Sequence, residues 1–564
     1  MMRKLKIPLL LAIIFVMSLF LSACGNSETS NKQESHSDNQ GTDQHKLAKN
    51  QVLNFYDEGD ISTMNTLHAT DGISLRALEE VQSGLTRIDK DGKIIPDMAS
   101  EEPKISNDKK VYTFKIRKDA NWSNGDPVTA QDFVYAWRKE VSKDTAGEYA
   151  YIFPAAGIKN AAKILDPKDP MYNKVDKLGV RAVDKKTLQV TLERPTPYFL
   201  SLMSFPSFYP LDKKIVQKFG NKYATEPNKM VFNGPFIMTK WDHGEGWTFK
   251  KNPDYWDKKD IHLDKVSYKV IKDMSTRVNL YKTGKLDFTR LTTDYITQFK
   301  NSKELHTGAL IPSMAFLRLN EKVPALKNDN IRDAIYNAID RKSLVNDLLK
   351  DGSYPAYYFV GKDFVKFSNG DDFRSAYPTI NKHSLKWAKS KWEKGLKEIN
   401  RKSVTLNLLY SSSSSDQEIV TYIKNQLEKN LPGLNIKIST QPVKQFDKLE
   451  GTQQYDISLA NWGPDYYDPM SDLDMWVTDG EFNRTGFSNS QYDKLIEKAK
   501  ELGAKPDERL KVMQNAEKIL LEKAPIVPLY QNSIAYLEKP YVKQIAINRP
   551  GPKLDWTYAY ILEH

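Results

Sequence analysis

The chain has only one cysteine, Cys24, among its 564 residues. One cysteine cannot form an intramolecular disulfide, and it cannot supply a cysteine-based zinc site or an iron–sulfur cluster. After the first 23 residues, the sequence also lacks any apolar run of the roughly 20 residues that a membrane-spanning helix needs. These absences exclude disulfide scaffolds, cysteine-rich metalloproteins and multi-span membrane proteins.

Charge of one sign is not concentrated in any part of the chain. There are 83 Lys and Arg and 72 Asp and Glu, a net charge of +11, and no five like charges follow one another. Nucleic-acid-binding proteins usually gather their basic residues in a patch or stripe. We therefore expect no nucleic-acid partner, and the basic balance suits a protein near an anionic cell envelope.

Catalytic signatures are absent as well. The sequence has no phosphate-binding GxxxxGK[ST], no GxGxxG after a strand, no HExxH and no GxSxG. The eight histidines stand singly, with no pair at the spacing of a helical metal site. The serine run at 411–415 follows a predicted strand and is better explained as a solvated loop than as a ligand-binding one. We expect no catalytic residues, no metal and no cofactor.

The first residues predict a signal peptide and a lipid anchor. Basic residues precede a fifteen-residue apolar run from Ile7 to Leu21, too short to span a membrane but typical of a signal peptide. The run ends in Leu-Ser-Ala-Cys24, which resembles the bacterial lipobox. This resemblance implies that residues 1–23 are removed as a lipoprotein signal peptide and that Cys24 carries a diacylglyceryl group.

Residues 24–50 have almost no apolar side chains and cannot offset the entropy of ordering. We therefore expect the lipidated Cys24 to be followed by a flexible tether and then by a folded body from about residue 51. Two acyl chains give stable retention. The predicted location is the extracellular face of the cell membrane, as in Gram-positive lipoproteins.

The body alternates strand-like and helix-like patterns, which indicates an α/β fold. Alternation of apolar and polar residues predicts strands at 111–117, 187–192, 404–408 and 436–439. Apolar residues at helical spacing predict helices beginning near Thr129, Asn330, Ser490 and Pro506, the last ending before Pro525.

Several longer motifs, taken in order, resemble one family. They are YTFKIRKDANWSNGDPVTAQDFVYAW at 112–137, FNGPF at 232–236, NPDYW at 252–256, NIRDAI at 330–335, YDISLANWGPDYYDP at 455–469 and GFSN at 486–489. The chain resembles the oligopeptide-binding proteins of ABC importers, extracellular solute-binding protein family 5, from about Val52 to its last residue. Gram-positive members of this family are lipoproteins, in agreement with the lipobox.

The resemblance implies a two-lobed periplasmic-binding-protein-like fold of type II, with mixed sheets flanked by helices and a hinged cleft. Lobe one would comprise 51–84, 206–306 and 528–564, a small inserted domain 85–205, and lobe two 307–527. It further implies a monomeric receptor that captures oligopeptides and delivers them to ABC permease and ATPase subunits.

The resemblance also implies a site. Asp465 would hold the peptide's α-amino group, because an enclosed ammonium needs a carboxylate to offset its desolvation. The backbone of Asn461, Trp462 and Gly463 would pair with the peptide as an added strand. Tyr149 and Tyr151 fall in a stretch that lines the cleft in relatives.

Two departures leave the peptide's carboxyl end unassigned. An arginine of the family motif is replaced by Leu459, and a histidine of the family has no counterpart within 411–417. Two alternatives stay open: a nickel or metallophore receptor of the same fold, and a surface enzyme or adhesin built on the anchored body.

Lipid labelling in cells tests the predicted anchor. We expect Cys24→Ser to abolish incorporation of labelled fatty acid and to leave the precursor uncleaved, because the thiol is the acceptor. Fractionation alone is ambiguous, since an uncleaved precursor also stays in the membrane. Label persisting on Cys24→Ser would overturn the assignment.

Overall fold

The computed structural model describes residues 46–89, 92–375, 379, 382–412, 416–480, 482–547 and 554–564. The predicted signal peptide, Cys24 and the tether up to residue 45 lie outside the described residues, as do residues 413–415 of the serine run. Within these ranges no helix is both long and apolar enough to cross a bilayer.

Strands and helices alternate along the described chain, as the sequence patterns predict. The strands are β1 Val52–Asp57, β2 Thr86–Ile88, β3 Ile94–Pro96, β4 Lys104–Ile105, β5 Val111–Lys115, β6 Val180–Asp184, β7 Thr187–Thr191, β8 Phe236–Asp242, β9 Gly246–Lys251, β10 Lys265–Val270, β11 Phe288–Arg290, β12 Leu305–Leu319, β13 Tyr354–Pro355, β14 Val404–Ser411, β15 Leu434–Gln441, β16 Ile457–Trp462, β17 Ile526–Glu538, β18 Val542–Lys543, β19 Ala546–Ile547, β20 Leu554–Asp555 and β21 Tyr560–Ile561. The helices are α1 Gly72–Val81, α2 Ala130–Glu140, α3 Ile152–Ala155, α4 Ala161–Leu165, α5 Phe199–Leu202, α6 Lys213–Phe219, α7 Met274–Lys282, α8 Thr293–Phe299, α9 Asp329–Asn337, α10 Arg341–Ser343, α11 Leu385–Glu398, α12 Asp416–Asn430, α13 Val443–Gly451, α14 Met470–Leu473, α15 Ser490–Glu501 and α16 Pro506–Lys523.

Three larger sheets organise the body. One has the order β1-β10-β9-β8, with β1 parallel to β10, and a second has the order β4-β5-β7-β6 and is antiparallel. The third has the order β11-β17-β12-β16-β14-β15, with β13 also pairing with β17. It is mixed, because β14 runs parallel to both β15 and β16 whereas β12 is antiparallel to β16 and β17. The chain is therefore an α/β protein with mixed sheets flanked by helices.

The two longest strands, β12 and β17, run past each other through the third sheet. Their pairing is interrupted between His306 and Ala309 and again between Leu310 and Met314. Such irregularities bend a strand and loosen its ladder. The lobe boundaries expected from the sequence, at 306/307 and 527/528, fall inside these two strands.

Helix ends show how local chemistry sets the boundaries. Thr129 precedes α2, and Asp132 accepts a hydrogen bond from the Thr129 backbone N–H at 2.8 Å, as the predicted capping pattern requires. Helix α16 begins at Pro506 and ends before Ala524, as predicted. Helix α9 begins at Asp329, next to the predicted start at Asn330. Its cap is Asn328, whose side chain accepts from the first free N–H groups.

The 112–137 motif is structural. It forms β5, a turn and α2, and both of its tryptophans are buried in the core. The Trp122 backbone N–H donates to the carbonyl of Asp126 at 2.7 Å, and Gly125 takes a positive φ of 87° that closes the turn. The Trp137 indole donates to the carbonyl of Phe208 at 2.9 Å. This part of the family resemblance therefore specifies packing of the core.

A buried ion pair fixes the loop after β16. Both guanidinium nitrogens of Arg509 on α16 donate to the carboxylate of Asp468, each at 2.7 Å, and both residues are buried. Asp468 also accepts from the backbone N–H of Met470 at 2.9 Å. This geometry ties the segment 465–470 to a long helix of the core.

We expect Asp468→Ala to destabilise the fold by about 3–5 kcal/mol, because it leaves the Arg509 charge buried and uncompensated. Urea unfolding followed by tryptophan fluorescence measures the loss. The matched control is Glu522→Ala, which removes an exposed pair with Lys518 on the same helix and should cost less than about 1 kcal/mol. Equal unfolding midpoints for Asp468→Ala and the native chain would contradict the role of the pair.

Candidate ligand-binding site

The candidate site begins where β16 ends. Trp462 is the last residue of the strand, and Asp465 follows in an irregular loop leading to α14. Ser471 of α14 fixes this loop at two points: its hydroxyl accepts from the Asp465 backbone N–H at 2.8 Å, and its carbonyl accepts from the Trp462 indole at 3.1 Å. The Asp465 side chain is thereby placed on a segment held to the core at both ends.

The carboxylate of Asp465 meets a tyrosine from a distant part of the chain. The hydroxyl of Tyr151 donates to Asp465 Oδ2 at 3.3 Å. Burial raises the pKa of Asp465 to about 7; the hydrogen bond from Tyr151 opposes the rise, and the negative charge of Asp474 adds to it. Asp465 forms no ion pair with a cationic side chain in the described residues, so its charge is left to be neutralised by a proton or a ligand.

A cavity of about 390 Å³ opens beside Asp465. Its lining comes from two parts of the chain, 151–198 and 462–500: Tyr151, Ile152, Pro154, Ala155, Ala162, Arg194, Tyr198, Trp462, Asp465, Tyr466, Ser471, Asp474, Met475, Val477, Gly480, Phe482 and Lys500. Tyr198 stacks on Tyr466 with ring centroids 4.5 Å apart, and Tyr151 meets Phe482 edge-on at 5.3 Å. Aromatic walls around a few charged groups are typical of a small-molecule or peptide pocket.

The second carboxylate in this cavity, that of Asp474, has different electrostatic surroundings. Burial raises the pKa of Asp474 to about 6, while the positive charges of Lys500 and Arg194 oppose that rise. Asp474 therefore has cations nearby within the protein. The contrast singles out Asp465 as the cavity carboxylate that forms no ion pair in the described part of the chain.

Strand β16 leaves part of one edge open next to Asp465. On one side it pairs with β12 along its whole length. On the other, in the described part of the chain, it pairs with β14 only at Ile457 and Ser458. Asn461 is exposed, and its side-chain oxygen accepts from Asn532 Nδ2 at 3.1 Å. Leu459 and Ala460 are buried, so the accessible part of this edge begins at Asn461.

The structure brings the sequence-predicted residues together. Tyr149 and Tyr151 lie side by side with ring centroids 5.7 Å apart. Burial raises the pKa of the Tyr149 hydroxyl, and the negative charge of Asp465 raises it further. Leu459, at the position of the family arginine, is buried and pairs with Leu317 on β12, so it offers no charge to a ligand.

Sequence reasoning missed much of the cavity wall. Tyr466 directly follows Asp465 in the motif and could have been included for that reason. Arg194, Tyr198 and Phe482 carry no local signal, because they reach the site only through the long-range packing of 151–198 against 462–500. Among the described residues, no three His, Cys, Asp or Glu side chains are grouped so that they could hold a metal ion.

Residues 93–484 match the middle region of the bacterial extracellular solute-binding proteins, family 5. The chain belongs to this family. It is 32% identical over 547 residues to the dipeptide-binding protein DppE of Bacillus subtilis, covering 96% of this chain and 97% of that protein. It is 30% identical over 556 residues to the oligopeptide-binding protein OppA of the same organism, again covering 96% and 97%.

Solved structures of relatives show the same fold. The substrate-binding domain of an oligopeptide ABC transporter from Bacillus anthracis is 43% identical with a TM-score of 0.81, covering 92% of this chain and all of that one. Listeria monocytogenes OppA bound to peptide is 39% identical with a TM-score of 0.79, over the same shares. The two-lobed solute-binding fold expected from the sequence is thus confirmed.

The raised pKa of Asp465 predicts a pH-dependent effect of Asp465→Asn on stability. A carboxyl with a pKa of about 7 when folded and about 3.9 when unfolded binds its proton more tightly in the folded state. Its contribution to stability therefore falls as pH rises from about 4 to about 7. Asparagine mimics the neutral acid, so in protein stripped of ligand Asp465→Asn should raise the melting temperature by a few degrees at pH 8 and leave it unchanged near pH 4.

Thermal melting between pH 4 and pH 8 checks this prediction. The control is Asp479→Asn, which changes an exposed carboxyl in the same region. It should change the melting temperature by the same amount at pH 4 and at pH 8. If Asp465→Asn raises the melting temperature by the same amount at both pH values, the folded protein does not disfavour the ionised form of Asp465.

Proposed function

We propose that this protein is an extracytoplasmic receptor that captures oligopeptides in a cleft between two lobes and delivers them to ABC permease and ATPase subunits. The observation that carries the proposal is the carboxyl of Asp465, which has a pKa of about 7, no cationic partner in the described residues and a position on a cavity beside an open strand edge. The peptide- and dipeptide-binding names of the relatives point the same way.

Asp465 is suited to bind the peptide's α-ammonium. An ammonium entering the site stabilises the ionised carboxylate, and the carboxylate offsets the ammonium's desolvation. Tyr151 occupies only one of the acceptor positions on the carboxylate, and an ionised carboxylate has about four. Tyr151 and a ligand ammonium can therefore both bond to Asp465.

The open edge of β16 is suited to bind the peptide backbone. Main-chain N–H and C=O groups of Asn461, Trp462 and Gly463 would pair with the ligand as an added strand, beginning next to Asp465. Such main-chain hydrogen bonds do not depend on the side chains of the peptide. It therefore supports a receptor that accepts many peptide sequences.

Closure of the cleft would use β12 and β17. We assign lobe one to 51–84, 206–306 and 528–564, the inserted domain to 85–205 and lobe two to 307–527. The interruptions of the β12–β17 ladder lie beside the boundary at 306/307 and would absorb the bending. A peptide that touches both lobes favours the closed state and shifts the population toward it.

The receptor would act as a monomer, retained at the outer face of the cell membrane by lipid on Cys24. The length of the tether from Cys24 to residue 50 would let the body reach a permease in the same membrane. Catalysis has no part in this proposal, since binding and release of intact peptide require no chemical step.

A double-mutant cycle tests the function and the site together. Asp465→Ala should weaken binding of a free-amino peptide by roughly two to three and a half decades, since removing one partner of a buried pair costs about 3–5 kcal/mol. N-acetylation of the peptide should weaken binding to the native protein substantially and add little in Asp465→Ala. Calorimetry measures the four affinities.

The results distinguish a wrong assignment of the site from a wrong function. If acetylation costs the same in native and variant proteins, Asp465 does not hold the amino terminus. The proposed function itself is wrong if neither the native protein nor Asp465→Ala binds any member of a random peptide library and mass spectrometry finds no peptide in freshly purified protein.

A further inference from the structure

Glu140 is a buried acid that the proposed function so far does not use. It is the last residue of α2, is only 1% exposed and forms no ion pair among the described residues. Burial raises the pKa of its carboxyl well above the usual range; the backbone N–H of Tyr149 opposes the rise, and the negative charge of Glu148 adds to it. A polar group is costly to bury unless it is hydrogen-bonded, so the partner of this acid is of interest.

That partner lies in the segment 147–151, which contains both tyrosines of the candidate site. Glu140 Oε1 accepts a hydrogen bond from the backbone N–H of Tyr149 at 3.1 Å. Gly147 lies directly against the same side chain: a Cβ atom at Gly147 would come within 2.5 Å of Glu140 Oε1 and within 2.6 Å of the Glu140 carbonyl oxygen. The segment therefore packs closely over the end of α2, and a side chain at Gly147 would prevent this approach.

Helix α2 gives Glu140 a fixed place in the core. Trp137, one turn earlier, is buried, and its indole donates to the carbonyl of Phe208 at 2.9 Å. The rings of Trp137 and Phe208 also meet edge-on, with centroids 5.3 Å apart. Because the last turn of α2 is held in this way, a hydrogen bond from Glu140 fixes the segment 147–151 relative to the core.

The ring of Tyr149 connects this fixed point with the candidate site. Its centroid lies 4.8 Å from that of Phe205 and 5.7 Å from that of Tyr151. The hydroxyl of Tyr151 in turn donates to Asp465 Oδ2 at 3.3 Å. A continuous series of contacts therefore runs from Glu140 through the two tyrosines to Asp465.

We propose that Glu140 is a positioning residue that, through Tyr149, holds the Tyr151 hydroxyl on Asp465. The inference rests on the proposed function, since it takes Asp465 as the group that binds the peptide's ammonium. The hydrogen bond from Tyr151 opposes the rise in the pKa of Asp465, and so it favours the ionised carboxylate that an ammonium needs. Without Glu140, the Tyr149 backbone N–H loses its partner and the segment 147–151 its fixed point on α2.

The test measures how tightly full-length protein in detergent, stripped of copurified ligand, binds alanine-based peptides with a free amino terminus. Calorimetry is done at pH 6, below the pKa of about 7 of Asp465, so that affinity depends on how well the site stabilises the ionised carboxylate. Tyr151→Phe should weaken binding by roughly ten- to a hundredfold, since it removes a hydrogen bond to a charged group. Glu140→Ala should cost roughly tenfold, because the hydroxyl remains but is displaced.

A double-mutant cycle separates positioning from general damage to the fold. Glu140→Ala should add little further loss in Tyr151→Phe, because the hydroxyl that Glu140 positions is already absent. Glu140→Gln keeps the size of the side chain and an acceptor oxygen, so it should recover most of the affinity lost in Glu140→Ala. The matched control is Glu148→Ala, which removes an exposed carboxylate of the same segment and should leave binding unchanged.

Gly147→Ala is a second variant, to be used if Glu140→Ala does not fold. Its Cβ atom would displace the segment 147–151 from α2 while Glu140 itself is kept. It should therefore weaken binding as Glu140→Ala does, and again add little in Tyr151→Phe. Melting temperatures show which variants are folded.

Two results would overturn the inference. The first is native affinity in Glu140→Ala, or in Gly147→Ala where the former does not fold, while Asp465→Ala still weakens binding; Glu140 then positions nothing, and the peptide receptor stands. The second is full additivity of the losses with that of Tyr151→Phe, which would show that Glu140 acts independently of the Tyr151 hydroxyl. Absence of binding of every peptide to the native protein would instead refute the proposed function.

Discussion

The site depends on one constraint: the fold shields the carboxylate of Asp465 from most of the water, and among the described residues it forms no ion pair. Asp465 is surrounded by aromatic rings and receives a single tyrosine hydrogen bond, so its ionised form is disfavoured and its pKa rises to about 7. A ligand that brings an ammonium removes that penalty, and one that does not must leave the acid protonated. In the proposed receptor, selectivity for a free amino group would follow from this burial.

Asp465 and Asp468 lie three residues apart, but their carboxylates have different surroundings. Asp468 is buried against Arg509 with two short hydrogen bonds, and its charge is compensated within the protein. Among the described residues, Asp465 has no such partner. The Asp468–Arg509 pair holds the loop, and the loop holds Asp465 at the cavity, so the paired carboxylate supports the one that we propose binds the ligand. A pair of similar groups with different environments is a recurrent way to divide such roles.

The sequence predicted the helix starts and strand positions that depend on residues close together in the chain. The capping pattern at Thr129 and the proline at 506 placed helix starts correctly, and alternation located β5, β7, β14 and β15 within a few residues. The family resemblance of the motif around Trp462 pointed to Asp465, three residues after that tryptophan. Arg194 and Tyr198 could not be found in this way, since their approach to the site depends on how 151–198 packs against 462–500. Their residue types alone are too common to be a signal.

Recognition and motion would meet in the third sheet. Strand β16, which leads to Asp465, pairs with β12 along its whole length, and β12 pairs irregularly with β17. A peptide that contacts only one lobe gains the same energy whatever the angle between the two lobes, and so favours neither state. In the proposed receptor, a peptide held at Asp465 would therefore favour closure only through the contacts that it makes with the other lobe.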